Sequence, residues 1–487
     1  MLARTAVILL ISLANLVSCG DIGAGANRDV HTALCAFVSM AGGTVEIPQV
    51  PSLAQADYDS IQTLNFSTST DAWQSMFYSD AKRTEVHETD TKAKQEGKEY
   101  AEFWSDWTAT ATKAAAERSD SKSKITVEGA MDAVAKRLAH AKIAGIADEA
   151  RKIKQRFTVL PPELGAITAS TSAATLAKAA FGAKCVTSDT VTDSQPFGAA
   201  NSGNRNTNCE PGTPNPKPIS ALGTLTCTCL KANANNPTGV CTEKADGGGT
   251  WQKNGGGVPS QADFRTLAKT CGSGKNKKIT FQDIQQAISR LAGLLHTDET
   301  DGYLGAFVAS GCTGSSGEGI CVKVPGYYAD SNKGVQKLQW VQQLGTLAGQ
   351  LKQIEEKRQE AEEVNKILKS KAAAAQSAIE EAKATANTIK SSEARDTQQE
   401  KIEQRNKCTP QNKTPAECPS SHCTYNEKAT DGNKCKPKVG SETTAAGTGR
   451  AVTNVESKMC SNKKNKRNAN LRIANGKVKL ARITVFL

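Results

Sequence analysis

The sequence predicts a mainly α-helical protein: an elongated antiparallel coiled-coil hairpin or helical bundle, with a disulfide-stapled, loop-rich lobe and a small cysteine-rich C-terminal domain. Only 5% of the 487 residues are aromatic, which favours thin helical layers over the aromatic-filled core of an α/β enzyme. Two long segments follow the apolar spacing of coiled-coil helices. The 15 cysteines concentrate between and after those segments.

The first 20 residues, MLARTAVILLISLANLVSCG, have the pattern of a secretory signal peptide. Their apolar run is too short to span a bilayer, and polar sequence follows it at once. A bacterial lipoprotein box that places a lipid on Cys19 is the competing interpretation. Because an exported chain folds in an oxidising compartment, most of the cysteines are predicted to form disulfides.

The first arm of the predicted hairpin is residues 52–160, a segment without proline. A short helix near Cys35 precedes it. Within the arm, a coiled-coil seam is predicted, which Gly145 and the two prolines after Leu160 then end. Its members are Val127, Met131, Val134, Leu138 and Ala141.

The second arm, residues 335–406, has the cleaner pattern. From Leu344 to Ile389 a 3-4 alternation places apolar residues along one stripe, with Arg358 and Asn365 as polar interruptions. Residues 350–406 lack glycine and proline and could form a rod of roughly 85 Å. Polar residues in a seam often fix register or partner number, and apolar surface left over predicts a homodimer or homotrimer.

Residues 163–334 form the predicted lobe between the arms. Glycine, asparagine, threonine and proline dominate it, so disulfides are needed to stabilise it. One supporting helix is predicted around FQDIQQAISRLAGLL, residues 281–295. The lobe cysteines are Cys185, Cys209, Cys227, Cys229, Cys241, Cys271, Cys312 and Cys321.

A small C-terminal domain is predicted over residues 396–440, followed by an atypical basic tail at 441–487 that is predicted to be disordered. The domain contains Cys408, Cys418, Cys423 and Cys435. The formal net charge is +12, but residues 461–487 contain eight basic residues and no acidic residue. The rest of the chain is nearly balanced, so no nucleic-acid partner is predicted.

Neither catalytic residues nor a cofactor are predicted. The five histidines are scattered and fit no zinc pattern, so they are interpreted as solvated or capping residues. Paired glutamates in the second arm fall on its outer positions, where solvated charge is expected. Two sequons, at Asn65 and Asn412, are candidate glycosylation sites. The chain is predicted not to be an enzyme.

The order of these parts resembles a trypanosome variant surface glycoprotein. The most specific part is the block CTPQNKTPAECPSSHCTYNEKATDGNKC at 408–435, which looks like the C-terminal domain of that family. The stretches ALCAFVSMAGG and LQWVQQLGTLAGQLKQ look more like its class B than its class A N-terminal domain, here taken as residues 21–395. The resemblance implies a dense surface coat for antigenic variation, with host antibodies as partners.

The resemblance also implies that Cys35 pairs with Cys185, and Cys312 with Cys321. The nine cysteines from Cys35 to Cys321 are an odd number, so one stays free or pairs with Cys19 or Cys460. Family members carry a glycosylphosphatidylinositol anchor on the plasma membrane, but residues 461–487 lack the expected apolar tail, so the attachment site is left unknown. The alternative function is a ligand-uptake receptor on the same helical plan.

Overall fold

The computed structural model describes residues 22–95, 101–119, 131–198, 203–211, 217–232, 239–243, 250–254, 259–309, 311–315, 317–329, 333–409 and 412–438. The predicted signal peptide, Val127 and the basic tail lie outside the described residues. Contacts divide the chain into two compact units, residues 1–390 and 391–487.

Helices make up most of the regular structure. They are α1 (Arg28–Met40), α2 (Gln55–Thr68), α3 (Asp71–Ser75), α4 (Ala101–Ser119), α5 (Ala133–Arg156), α6 (Pro162–Gly165), α7 (Ala169–Phe181), α8 (Arg205–Cys209), α9 (Ala221–Cys229), α10 (Gln261–Lys269), α11 (Phe281–Ala292) and α12 (Gln339–Asn406). Two short strands, β1 (Thr44–Val45) and β2 (Lys278–Ile279), pair in parallel. An antiparallel sheet contains β3 (Leu295–Thr297), β4 (Gly302–Ala309) and β5 (Glu318–Val324).

In the first unit, α2, α5 and α12 form a helical bundle. Their shared core includes Ile61 of α2, Ile143 of α5, and Leu368 and Ala375 of α12. All four side chains are fully buried. Since a lone amphipathic helix would leave such a stripe in water, burial against the neighbouring helices stabilises all three.

The polar pairs along α5 and α12 show that these helices are antiparallel. Lys390 binds Asp132 at 2.8 Å, Lys142 binds Glu381, and Lys371 binds Glu149. The residue number falls along α12 as it rises along α5. The antiparallel packing of the two predicted arms is therefore confirmed for this pair of helices.

The first arm differs from the prediction, because residues 52–160 do not form one rod. The described part contains four helices, α2 to α5, and α2 folds back against both α4 and α5. The predicted seam on α5 is also wrong, since Ala141 is exposed and Leu138 only half-buried. Gly145 does not end the helix, which continues to Arg156. The buried face consists instead of Ala135, Ala139, Ile143, Ala147 and Ala150.

The second arm agrees closely with its predicted pattern. Helix α12 is continuous over 68 residues and begins at Gln339, after a short 3-10 turn at Gly334–Lys337. Eleven of the predicted stripe positions are buried: Leu344, Leu347, Leu351, Ile354, Ala361, Leu368, Ala372, Ala375, Ile379, Ala382 and Ala386. Arg358 forms ion pairs with Glu355 and Glu362, and Asn365 contacts the chain before α2.

The lobe is built around α9, of which every residue is buried. Helices α1, α7, α8 and α10 and the β3–β5 sheet surround α9. The predicted helix near 281–295 is confirmed as α11, with Ile284 and Leu291 fully buried. The first turns of α12 complete this core, where Trp340 packs edge-on against Phe37 at 4.9 Å.

The second unit contains the end of α12 and the four-cysteine domain. Its strands β6 (Cys423–Tyr425) and β7 (Cys435–Pro437) form an antiparallel pair. Cys408 pairs with Cys423, and Cys418 with Cys435. Their buried core consists of these four cysteines, with Tyr425 packed against it. Two cystines thus take the place of an apolar core.

Candidate functional site

The candidate functional site is the lobe, whose described cysteines form four disulfides. Two of them attach α9 to the segments before and after it. Cys227 of α9 pairs with Cys209, and Cys229 of α9 pairs with Cys241. Cys312–Cys321 joins β5 to the loop before it, as the resemblance implied. The fourth, Cys35–Cys271, spans 236 residues and joins α1 to the end of α10.

The predicted Cys35–Cys185 pair is wrong. The last turn of α10 brings the Cα atom of Cys271 to 4.6 Å from that of Cys35, and the two sulfurs are bonded. Cys185 lies in the exposed turn after α7 with a left-handed backbone, φ 59°. Among the described cysteines, it is the one without a disulfide. It is therefore the free cysteine that the odd number of cysteines from Cys35 to Cys321 allowed.

His31 is neither solvated nor capping, as the histidines were predicted to be, because it lies inside α1 and is 8% exposed beside a cystine. It lies four residues before Cys35 on α1, so both side chains share one helix face. Its Nε2 is 2.9 Å from Thr270 Oγ1 and 3.4 Å from Cys35 Sγ. Burial lowers the pKa of His31. In the sequence, the His-x-x-x-Cys spacing could have indicated that these two side chains lie together on one helix face.

Two buried polar residues hold the lobe together, and neither is evident in the sequence. Asn27 donates to the carbonyls of Thr228 and Ile320, each at 2.7 Å, and accepts from Ala306 N. The Arg205 guanidinium is fully buried and donates to two carbonyls at the end of α9. Burial lowers the pKa of Arg205 to about 9, so the group stays charged at neutral pH.

Two groups of histidine or cysteine atoms within the described residues are close enough for a metal ion: His31, Cys35 and Cys271, and Cys408, Cys423 and Cys435. Every cysteine in them is disulfide-bonded. Cystine sulfurs carry no thiolate charge and are poor metal ligands. These groups are therefore structural cross-links in the oxidised protein.

A defined pocket among the lobe loops would favour the alternative function, a ligand-uptake receptor. One open depression of about 510 Å³ is lined by residues 47–53 and 157–160, with Leu164, Gly165, Ile167 and Ile354. Another of about 370 Å³ lies between α7 and α12. Neither is lined by residues 185–321, so these two depressions give no pocket among the lobe loops.

The two sequons lie in different surroundings. Asn65 is inside α2, its Oδ1 is buried without a hydrogen-bond partner, and Ser67 is 4% exposed. Asn412 lies in the four-cysteine domain, where its Nδ2 donates to the Lys407 carbonyl at 3.0 Å. No helix among the described residues is both long and apolar enough to cross a bilayer.

The fold and its cross-links define a class of protein: a disulfide-stabilised helical bundle of the oxidising secretory compartment. In the described part of the lobe, Asn27 and Arg205 make buried structural contacts. Both side chains are directed at backbone carbonyls, which fixes the fold.

Residues 9–370 match the family model of the trypanosomal VSG domain, class B. The chain belongs to this family and is a variant surface coat glycoprotein of the cell surface. It is 24% identical over 442 residues to variant surface glycoprotein ILTAT 1.23 of Trypanosoma brucei brucei, covering 88% of this chain and 81% of that protein. It is 26% identical over 249 residues to variant surface glycoprotein ILTAT 1.21 of the same organism, covering 48% of this chain and 49% of that protein.

Proposed function

We propose that this chain is a non-enzymatic subunit of a dense protective coat, in which the bundle is a spacer and the lobe carries the surface that host antibodies meet. The observation that carries this proposal is the path of α12. The helix starts in the lobe core at Trp340 and reaches the far end of the bundle core at Ala382. At 1.5 Å per residue that path is roughly 60 Å.

The bundle and the lobe are stabilised in different ways, which suit a spacer and a variable surface respectively. The bundle has a core rich in alanine, which permits close helix packing, and a ladder of exposed ion pairs on its surface. The lobe instead fixes its core by four disulfides. Cross-linked cores tolerate sequence change in the loops between the cross-links, as antigenic variation requires.

The partners belong to the same proposal. Copies of this chain associate as a homodimer or homotrimer, and a glycosylphosphatidylinositol anchor attaches the protein to the outer leaflet of the plasma membrane. Host antibodies are the external partner, and nucleic acid is not one. Analytical ultracentrifugation of the purified protein decides between monomer, dimer and trimer.

Lysine labelling on living parasites tests the coat arrangement. Lys275 and Lys277 of the lobe and Lys366 and Lys369 of the bundle are all exposed, so a membrane-impermeant lysine reagent should modify both pairs in purified protein. On cells that express the chain as their coat, we expect the lobe pair to react as before and the bundle pair to be protected at least fivefold. Equal labelling of both pairs on cells would contradict a dense layer.

A further inference from the structure

The Cys35–Cys271 disulfide differs from the others in accessibility. Of the twelve described cysteines that form disulfides, Cys271 is the one that is not buried. It is followed by an exposed turn at Gly272 and Ser273. Cys35, on the other side of the bond, is 9% exposed. Cys271 is therefore the more exposed residue of this cystine.

The buried sulfur lies beside a hydrogen-bond donor. The Thr270 hydroxyl donates its hydrogen to the Leu267 carbonyl at 2.6 Å, so it can only accept from His31 Nε2 at 2.9 Å. This assigns the imidazole hydrogen to Nε2. The same Nε2 is 3.4 Å from Cys35 Sγ, so its hydrogen, which is donated to Thr270 Oγ1, can be shared with a thiolate at Cys35.

We propose that Cys35–Cys271 is a reversible thiol-exchange site, attacked at Cys271 by a small monothiol of the glutathione class, with Cys35 as the leaving group stabilised by His31. The thiolate of the monothiol forms a new S–S bond with Cys271 Sγ as the Cys35–Cys271 bond breaks. The electron pair of the broken bond goes to Cys35 Sγ. The products are a mixed disulfide at Cys271 and a thiolate at Cys35, so no other oxidant or reductant is needed.

The surroundings favour this direction of attack. Exchange is faster when the leaving thiolate is better stabilised and when the attacked sulfur is accessible. Burial lowers the pKa of His31, which favours the neutral imidazole, and a neutral Nε2–H still donates to a thiolate. His31 is a positioning residue for this step, since it acts through Cys35.

The lobe core keeps the opened site together. Leu34 and Phe37 of α1 and Phe264 and Leu267 of α10 lie in the same buried cluster. Each is at most 1% exposed. Both helices pack on α9 within that cluster, so we expect Cys35 and Cys271 to stay close after opening, and the bond can re-form when the monothiol leaves.

The test needs no mutation. Unpaired thiols of the native protein, Cys185 among them, are first blocked with iodoacetamide. The protein is then treated with reduced glutathione for increasing times, quenched with N-ethylmaleimide and mapped by peptide mass spectrometry. We expect glutathione on Cys271 and N-ethylmaleimide on Cys35, at least tenfold sooner than at any other cystine. An earlier opening of another cystine, or glutathione on Cys35, would overturn the proposal.

Variants at His31 test its role. His31→Ala should slow the opening of this disulfide about fivefold, while His31→Gln, whose amide nitrogen can donate from a similar position, should restore most of the rate. His296→Ala, at an exposed histidine on β3, is the matched control and should leave the rate unchanged. A wild-type rate in the alanine variant, with unchanged circular dichroism, would remove His31 from the mechanism.

Discussion

Tyr58 joins three helices through its side chain. Its hydroxyl donates to Asp106 Oδ2 of α4 at 2.7 Å, and Lys154 of α5 donates to the other carboxylate oxygen at 2.6 Å. The Lys154 ammonium also lies 4.4 Å from the centre of the Tyr58 ring. Burial, and then the hydrogen bond to Asp106, raise the pKa of Tyr58 well above its ordinary value near 10.

This pKa shift predicts a loss of stability at alkaline pH. Above pH 10 the unfolded tyrosine loses its proton while the folded one keeps it, so the free energy of unfolding falls by up to about 1.4 kcal/mol per pH unit. Tyr58→Phe should cost about 1–2 kcal/mol at pH 7 and should remove this fall. Urea denaturation of both proteins from pH 7 to 11 measures it. Parallel curves would show that Tyr58 titrates normally.

The sequons give a second prediction at the residue scale. A glycan on Asn65 must be accommodated within α2, beside a side-chain oxygen that is buried. Asn412 is half-buried, as Asn65 is, but it lies outside the helices. We therefore expect a glycosidase that removes N-linked glycans to shift the mass of wild type and Asn65→Gln equally, and not to shift Asn412→Gln. A shift in the last variant would place a glycan elsewhere, with Asn65 the next candidate.

At the scale of elements, α12 could be predicted because its pattern is continuous. Its apolar stripe repeats from Leu344 to Ala386, and nothing between residues 350 and 406 breaks a helix. The face of α5 could not be predicted in the same way. The large side chains of its predicted seam, Val134 and Leu138, are half-buried, whereas alanines form most of the buried stripe. Close helix packing selects small residues there, so side-chain size gave the wrong seam.

Asn365 shows what the polar interruption in α12 does. Its Oδ1 accepts from Ala54 N at 2.7 Å and its Nδ2 donates to the Ser52 carbonyl at 2.8 Å. Both partners belong to the segment that leads into α2. The two hydrogen bonds therefore fix where α2 begins along α12, which agrees with the predicted role in register.

Replacing Asn365 should loosen that junction. Asn365→Ala removes both hydrogen bonds and should lower the free energy of unfolding by about 1–2 kcal/mol. Hydrogen exchange should become faster in the first turn of α2. Lys366→Ala, at an exposed neighbouring position, is the control and should change stability by less than about 0.5 kcal/mol. An equal effect of the two substitutions would argue against the register role.

At the scale of the whole molecule, the number and region of the cross-links could be predicted, but their pairing could not. Spacing alone leaves many connectivities for the lobe cysteines, and the pair implied for Cys35 was wrong because α10 places Cys271 beside it. The lobe helices α8 and α9 were also missed. Their sequence is short and rich in threonine and asparagine, and α9 has no polar face because the surrounding elements bury it on all sides.

The division of contacts between residues 1–390 and 391–487 predicts two separate unfolding transitions. Among its described residues, the buried core of the four-cysteine domain consists of its cystines with Tyr425 packed against them, so its stability should depend on them. Replacing Cys408 and Cys423 with serine removes a cross-link that closes a loop of 15 residues, worth about 3 kcal/mol. We expect calorimetry to show the smaller transition lost and the main one unchanged.

The matched control is the cystine of similar loop length in the lobe, Cys209–Cys227, with a separation of 18 residues. Replacing that pair with serine should lower the main transition and leave the smaller one in place, because both cysteines lie in the lobe core. If either pair of substitutions moves both transitions together, the two units fold as one cooperative body. The four-cysteine domain would then owe its stability to the rest of the chain rather than to its own cystines, since a self-contained cross-linked domain responds only to loss of its own bonds.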